Sequence, residues 1–257
     1  MRIAHISDLH VCIGDDFNEN VFDKGADIIN KLDPVPDFVF VSGDFTTNGL
    51  LSEYDMAKEK LRKINYKTVA VPGNHDERNL GYKLFPEYFG RTDFTKEYDN
   101  LLLIGLASSE PDKDEGKLGR GRHRIIEDAI MNKREKISVI GFHHHLVPVP
   151  NSGREKNMIE DAGETLDIIL KNGVPLVLMG HRHVPYAVKI HNTLLVNAGT
   201  FSCNRTRAHF GNTFNIIEIN NEDITVTVVN VRKEEEKMMV HFNQKKGIYV
   251  NKYYPIL

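Results

Sequence analysis

Five short motifs in this sequence consist mainly of residues that bind metals or transfer protons. Their side chains offer carboxylate and amide oxygens and imidazole nitrogens, with no thiolate sulfur. Such donors suit Mn, Fe, Zn, Co or Ni better than a soft-metal cluster or an all-oxygen calcium site. One Asp-x-His motif alone is weak evidence, but the conjunction of all the motifs predicts a metal centre. The motifs are Asp8-x-His10, Gly43-Asp44, Gly73-Asn74-His75-Asp76, His143-His144-His145 and Gly180-His181-Arg182-His183.

Each motif directly follows a short apolar run of the kind that forms a buried strand. Because ligands of open α/β sheets bind at the carboxyl ends of the strands, we expect the motifs to converge at one place. Helical spacing recurs between the runs, as in Val21, Ile28, Ile29 and Leu32. So many strands exceed what one twisted sheet comfortably holds, so we expect an α/β fold with two packed sheets flanked by helices, an α/β/β/α sandwich.

Two stretches of the chain depart from this alternation of apolar runs and helical spacing. The alternation weakens at 79–98, which predicts a short helix and a covering loop. After residue 185 helical periodicity disappears, and apolar runs between Asn-rich turns predict antiparallel strands. We expect one domain over residues 1–232, followed at 233–257 by a hairpin, a flap or an oligomerisation arm.

Composition limits the partners and the compartment. The formal net charge of -3 gives no general attraction to nucleic acid, which we do not expect as a partner. The longest apolar run, from Leu101 to Ala107, is far below the roughly 20 residues of a membrane helix, so we expect no membrane partner. Cys12 and Cys203 form no CxxC pair and predict neither a disulfide framework nor a thiolate zinc site. Since the first strand leads directly into Asp8, we expect no cleaved secretory signal and a cytoplasmic protein.

In this order and spacing, the five motifs resemble the blocks of the calcineurin-like metallophosphoesterase family, over roughly residues 1–200. The resemblance implies the two-sheet sandwich and a centre of two divalent or mixed-valence metal ions. It implies that His75 is the catalytic residue, placed to protonate the leaving oxygen. It implies that one metal is held by Asp8, His10, Asp44 and His183, and the other by Asp44, Asn74, His143 and His181, with Asp44 bridging them.

Elementary electrostatics supports that division. Two divalent ions about 3.5–4 Å apart can share a carboxylate and lower the pKa of a bridging water toward about 7, so that hydroxide attacks at neutral pH. Asn74 is neutral, so the two carboxylates of the set leave a net positive charge for an anionic phosphate. Arg205 and Arg207 follow the metal histidines and are candidate substrate-binding residues, with ordinary surface charge as the alternative.

The sequence departs from the family pattern at two places, which narrows the range of activities that we expect. In the protein phosphatase branch, a further Asp after the Gly-Asp block supports the catalytic histidine, whereas residues 45–49 here contain no carboxylate. This block resembles that of the small cyclic-nucleotide phosphodiesterases instead. In that branch a proline usually follows the paired histidines, but here His145 takes its place. The register favours His143 as the ligand, with His144 as the alternative.

We therefore expect a metal-dependent hydrolase that acts on phosphodiester bonds of a small phosphoester, for which a cyclic nucleotide is one candidate. A DNA nuclease and a phosphomonoesterase of the same family are the enzymatic alternatives. A non-catalytic scaffold that retains the fold is the alternative from another class. The sequence leaves a homodimer open.

Overall fold

Strands and helices alternate along the first two thirds of the chain, as the sequence predicts. The structure is a computed structural model, which describes residues 1–132, 135–154 and 156–252. The strands are β1 Arg2–Ile6, β2 Phe38–Ser42, β3 Thr68–Val71, β4 Phe94–Glu97, β5 Leu101–Gly105, β6 Ile137–Gly141, β7 Leu176–Met179, β8 Tyr186–Ile190, β9 Thr193–Asn197, β10 Thr213–Asn220, β11 Asp223–Asn230, β12 Glu235–Asn243 and β13 Ile248–Asn251. The helices are α1 Glu19–Asn30, α2 Leu51–Leu61, α3 Gly81–Phe89, α4 Gly119–Met131 and α5 Ala162–Lys171.

The strands form two mixed sheets. The first has seven strands in the order β13-β12-β11-β10-β1-β2-β3, and the second has six in the order β4-β5-β6-β7-β9-β8. Strands β1, β2 and β3 run parallel within the first sheet. Strands β5, β6, β7 and β9 run parallel within the second. The motif-bearing ends of β1, β2 and β3 therefore lie at one edge of the first sheet, and those of β6 and β7 at one edge of the second.

Three apolar layers hold the sheets and helices together. Because side chains alternate across a strand, Phe38 and Phe40 of β2 pack between the two sheets, whereas Val39 and Val41 pack under α1, α2 and α3. The outer face of the second sheet packs against α4 and α5, for example through Ile140. A strand buried on both faces is largely apolar, which explains the long apolar runs before the motifs. The predicted two-sheet sandwich flanked by helices is confirmed.

The structure differs from the sequence prediction at residues 79–98. The predicted short helix is α3, but the predicted covering loop contains β4, which pairs antiparallel with β5 at the edge of the second sheet. Side chains along β4 alternate between half-buried and exposed. An edge strand of this kind needs no apolar run, and its charged residues concealed it in the sequence.

The C-terminal region continues the first sheet. Strand β12 pairs antiparallel with β11. Strand β13 pairs antiparallel with β12, so β12 and β13 form a hairpin. Residues 253–257 of the segment singled out in the sequence lie outside the described residues. The division of the chain at residue 232 stays a prediction. Among the helices of the described residues, none is long and apolar enough to cross a membrane.

The close packing of the two sheets can be tested at Gly141, at the end of β6. A methyl group added there would lie 2.2 Å from Cζ of Phe40. We expect Gly141→Ala to lower the free energy of unfolding by about 1–3 kcal/mol, as overpacked cores do. The matched control is Gly163→Ala in α5, where nothing lies within 4 Å of the added methyl. It should leave stability unchanged or raise it by up to about 1 kcal/mol. Urea unfolding of the chelator-treated proteins measures both, and equal values would contradict tight inter-sheet packing.

Candidate metal centre

Backbone hydrogen bonds join the loops after β1 and β2 to each other, and likewise the loops after β6 and β7. Asp8 N–H donates to the carbonyl of Gly43 at 3.0 Å, and His10 N–H donates to that of Asp44 at 2.9 Å. In the second sheet, Gly180 N–H donates to the carbonyl of His143 at 2.9 Å. The side chains of the predicted site are thus carried on connected backbone at the ends of rigid strands.

Five of the predicted ligands have left-handed backbone. Non-glycine residues rarely adopt positive φ, and each such residue costs on the order of 1–3 kcal/mol. The residues are Asp8 at 54°, His10 at 50°, Asp44 at 57°, His181 at 70° and His183 at 56°. Strain concentrated in this way is typical of functional sites, where the turn aims side chains that a relaxed strand would point elsewhere.

The structure brings the residues of the first predicted ligand group together. Nε2 of His10 and Nε2 of His183 face each other at 3.1 Å. Nε2 of His183 lies 3.3 Å from Oδ1 of Asp8, and Nε2 of His10 lies 3.5 Å from Oδ2 of Asp44. All four residues are buried. They form the first half-site.

The second group lies on the other side of Asp44. Nε2 of His143 lies 3.3 Å from Oδ2 of Asp44. Nδ1 of His181 lies 3.2 Å from Nε2 of His143 and 3.1 Å from Oδ1 of Asn74. These residues form the second half-site. Oδ2 of Asp44 therefore faces an imidazole nitrogen from each half-site, as the predicted bridging role requires.

The donor atoms fit a pair of cations. Among the described residues, Oδ1 of Asp8 is a buried oxygen with no hydrogen-bond partner, which is costly unless a cation satisfies it. Nδ1 of His143 donates to the carbonyl of Ser42 at 2.6 Å, and Nδ1 of His183 donates to that of Arg205 at 2.8 Å. These hydrogen bonds hold a proton on each Nδ1 and direct each Nε2 into the centre.

Burial and charge set the protonation of these groups. Burial lowers the pKa values of His10 and His181 well below the ordinary range, which keeps their imidazoles neutral and able to bind a metal. Burial also opposes protonation of His143, but the adjacent carboxylate of Asp44 outweighs it and raises the pKa of His143 to about 9. A bound cation would displace the proton that this carboxylate favours on His143.

The structure also distinguishes His143 from His144. Both ring nitrogens of His144 have partners outside the half-sites, since Nδ1 accepts from Oγ of Ser108 at 2.8 Å and Nε2 donates to the carbonyl of Asp114 at 3.1 Å. Burial lowers the pKa of His144 to about 3. Because both of its nitrogens are occupied, the geometry favours His143 as the ligand.

His75 lies between the first half-site and a neighbouring loop. Its backbone N–H donates to Oδ1 of Asp44 at 3.0 Å, and its ring lies edge-on to His10 at 4.6 Å between centroids. Burial lowers the pKa of its imidazole. Its Nδ1 donates to the carbonyl of Thr47 at 2.6 Å. That carbonyl takes the supporting position for which the sequence offered no carboxylate, and no sequence motif could have indicated it.

Asp76 has a structural task that the sequence analysis did not assign. Its fully buried carboxylate accepts from the backbone N–H groups of Gly73 and Thr46, each at 2.9 Å, and from Oγ1 of Thr46 at 3.1 Å. Burial, with the nearby charge of Asp44, raises the pKa of Asp76 to about 7. Asp76 therefore joins the loops after β2 and β3, which carry Asp44 and Asn74.

Cys203 is also closer to the centre than its place in the sequence suggested. Its sulfur lies within 4.8 Å of ring nitrogens of His10 and His183. Both Cys12 and Cys203 are free. Burial raises the pKa of Cys203, so it is a neutral thiol, the form that binds metals poorly.

A cavity of about 220 Å³ opens over the two half-sites. Arg205 and Arg207 line it, as do two cations that the sequence analysis did not single out, Arg78 and Lys156. Nη2 of Arg205 lies 3.1 Å from Nδ1 of His10. Arg182 lines it too, so these cations outnumber the carboxylates of Asp44 and Asp114 in the lining, and the excess positive charge suits an anionic ligand.

Comparisons with known proteins agree with this geometry. The sequence profile of the family described as calcineurin-like phosphoesterase matches residues 1–185. A Coxiella burnetii protein named a probable cyclic nucleotide phosphodiesterase is 25% identical over 203 residues, which cover 77% of this chain and 82% of that protein. An Arcobacter nitrofigilis protein named a probable glycerophosphodiester phosphodiesterase, GpdQ, is 31% identical over 166 residues, which cover 60% of this chain and 59% of that protein.

A solved structure shows the same fold. The crystal structure of a dimetal phosphatase from Danio rerio superimposes with a TM-score of 0.71, at 10% sequence identity, over 93% of this chain and 98% of that one. At that identity the likeness concerns the fold alone. The family profile, however, covers more than two thirds of the sequence, so this chain belongs to the calcineurin-like phosphoesterase family.

Proposed function

We propose that this phosphoesterase hydrolyses phosphodiester bonds of a small substrate with two bound metal ions. The observation that carries the proposal is the position of Asp44, whose Oδ2 faces His10 at 3.5 Å in one half-site and His143 at 3.3 Å in the other. Asp8, His10, Asp44 and His183 would hold one ion, and Asp44, Asn74, His143 and His181 would hold the other. When bound, two divalent ions supply positive charge for the phosphoryl oxygens and lower the pKa of water to about 7.

The remaining residues would bind the substrate and donate a proton to its leaving oxygen. Arg205 and Arg207 line the cavity over the half-sites and would pair with the phosphate oxygens. The carbonyl of Thr47 holds Nδ1 of His75, so Nε2 is the nitrogen available for proton transfer to the leaving oxygen. Arg78 and Lys156 add positive charge to the same cavity.

Two observations support a diester as the substrate. The support of His75 comes from the neutral carbonyl of Thr47, where the protein phosphatase branch has a carboxylate. Relatives named as phosphodiesterases cover 77% and 60% of this chain. A cyclic nucleotide is one candidate within that class. A phosphomonoesterase, a nuclease and a non-catalytic scaffold are the alternative hypotheses that assays must separate.

Asp44→Asn tests the shared ligand. Loss of the carboxylate charge should weaken both half-sites, so metal content should fall. Turnover should drop by more than about 100-fold, because even loss of a residue that only hydrogen-bonds a metal ligand costs up to about that much. Metal analysis and initial rates measure the two effects. The matched control is Asp15→Asn, at an exposed position outside the half-sites, which should change neither. Two ions per chain with near-normal activity in Asp44→Asn would contradict a bridging role.

His75→Ala tests proton transfer. Metal content should stay intact, because the ring of His75 is assigned to the leaving group, while the rate should fall by about 10²- to 10⁴-fold. The loss should be smaller for nitrophenyl diesters than for alkyl diesters, since a good leaving group needs little protonation. An equal loss with both substrates would argue against this assignment.

Substrate charge and shape give a third test. A dianionic monoester gains more from two cations than a monoanionic diester does, so a site that favours diesters must contact the second ester group. We expect kcat/KM for a nitrophenyl phosphodiester to exceed that for the corresponding monoester after loading with Mn, Ni, Zn or Fe. A clear preference for the monoester with every metal would replace the phosphodiesterase proposal with a phosphatase. Salt-sensitive binding of DNA would favour the nuclease.

A further inference from the structure

We propose that Asp114, in the loop between β5 and α4, is a positioning residue that orients Asn74 toward the second half-site. The inference deepens the proposed function and rests on it, because it concerns how one of the two predicted ion sites is built. Asp114 lies outside the motifs, and its side chain is about half exposed. It follows Asn74 by 40 positions in the sequence.

The argument begins with the two ends of the Asn74 amide. Its Oδ1 faces Nδ1 of His181 at 3.1 Å, within the half-site. Its Nδ2 donates to Oδ1 of Asp114 at 3.1 Å. A carboxylate only accepts hydrogen bonds, so it must meet the amide nitrogen and thereby turns the amide oxygen toward the metal position. An amide turned by 180° would present N–H groups there, which cannot bind a cation.

The carboxylate of Asp114 is itself held in place. Nη2 of Arg78 donates to the same Oδ1 at 2.7 Å. Arg78 is carried by the loop after β3, as Asn74 is. A second contact between the same loops joins the backbone N–H of Asn79 to Oδ1 of Asp112 at 2.7 Å. The orientation of Asn74 is therefore fixed by a loop that belongs to the other sheet.

His144 anchors this loop at its base. Nε2 of His144 donates to the backbone carbonyl of Asp114 at 3.1 Å, while its Nδ1 accepts from Ser108 at 2.8 Å. Gly116 packs on the ring so closely that a methyl group at Gly116 would lie 2.4 Å from Cγ of His144. The second histidine of the triple motif thus connects its neighbour, the predicted ligand His143, to the residue that orients Asn74.

Calorimetric titration of Mn²⁺ into the metal-free protein tests the inference without any substrate. We expect Asp114→Ala to bind one ion as the wild type does and the other about 10- to 100-fold more weakly, the usual effect of losing an outer-shell partner. Asp114→Asn should recover most of that affinity, because its amide oxygen can still accept from Asn74. The control Glu115→Ala removes the same charge from the next, exposed position and should match the wild type.

The outcomes separate this inference from the proposed function. Wild-type affinity for both ions in Asp114→Ala would overturn it, and so would an equal weakening in Glu115→Ala, which would indicate a general charge effect. Failure of Asp114→Asn to recover affinity would also count against the hydrogen bond. A wild-type protein that binds two ions but cleaves no diester would refute the proposed function alone, whereas one that binds a single ion would overturn both. Circular dichroism of the metal-free variants verifies that each is folded.

Discussion

The buried carboxylate of Asp44 is the interaction on which the arrangement of the site depends. A charge removed from water is expensive unless hydrogen bonds or opposite charges compensate it. Here His75 donates to Oδ1 from its backbone, and His10 and His143 approach Oδ2. This crowding leaves no room beside the carboxylate, since a Cβ at Gly73 would lie 2.1 Å from Oδ1. The buried charge therefore explains why Gly73, the first residue of its motif, is a glycine.

The same constraint explains why the predicted ligands are held on strained backbone. Asp44 has φ of 57°, and the preceding Gly43 has φ of 92°. A Cβ at Gly43 would also lie 2.6 Å from Nδ1 of His143. Left-handed residues persist only where their surroundings determine them, and here the connected loops and the carboxylate of Asp76 do so. The surrounding loops thus hold the predicted site residues on this strained backbone.

The sequence predicted the fold and the grouping of the predicted site residues because both depend on local patterns. Continuous apolar runs such as Phe38 to Val41 indicate strands buried on both faces, and their ends locate the motifs. The backbone carbonyl of Thr47 could not be predicted, since every residue has one and only the fold selects which carbonyl meets His75. Asp114 was equally hidden, because an exposed acidic residue in a polar loop is indistinguishable from its neighbours until the loop is folded. Strand β4 was missed because an edge strand needs no apolar run.

The position of β1 has a consequence for how the chain acquires this fold during synthesis. β1 pairs with β2 on one side and with β10, Thr213–Asn220, on the other. At about 5–20 residues per second, the ribosome completes β10 roughly 10–40 s after β1. Until then the strand that carries Asp8 and His10 has one open edge, a surface prone to pair with other chains. The region that matches the family profile ends at residue 185, before β10, so it does not include the strand that covers this edge of β1.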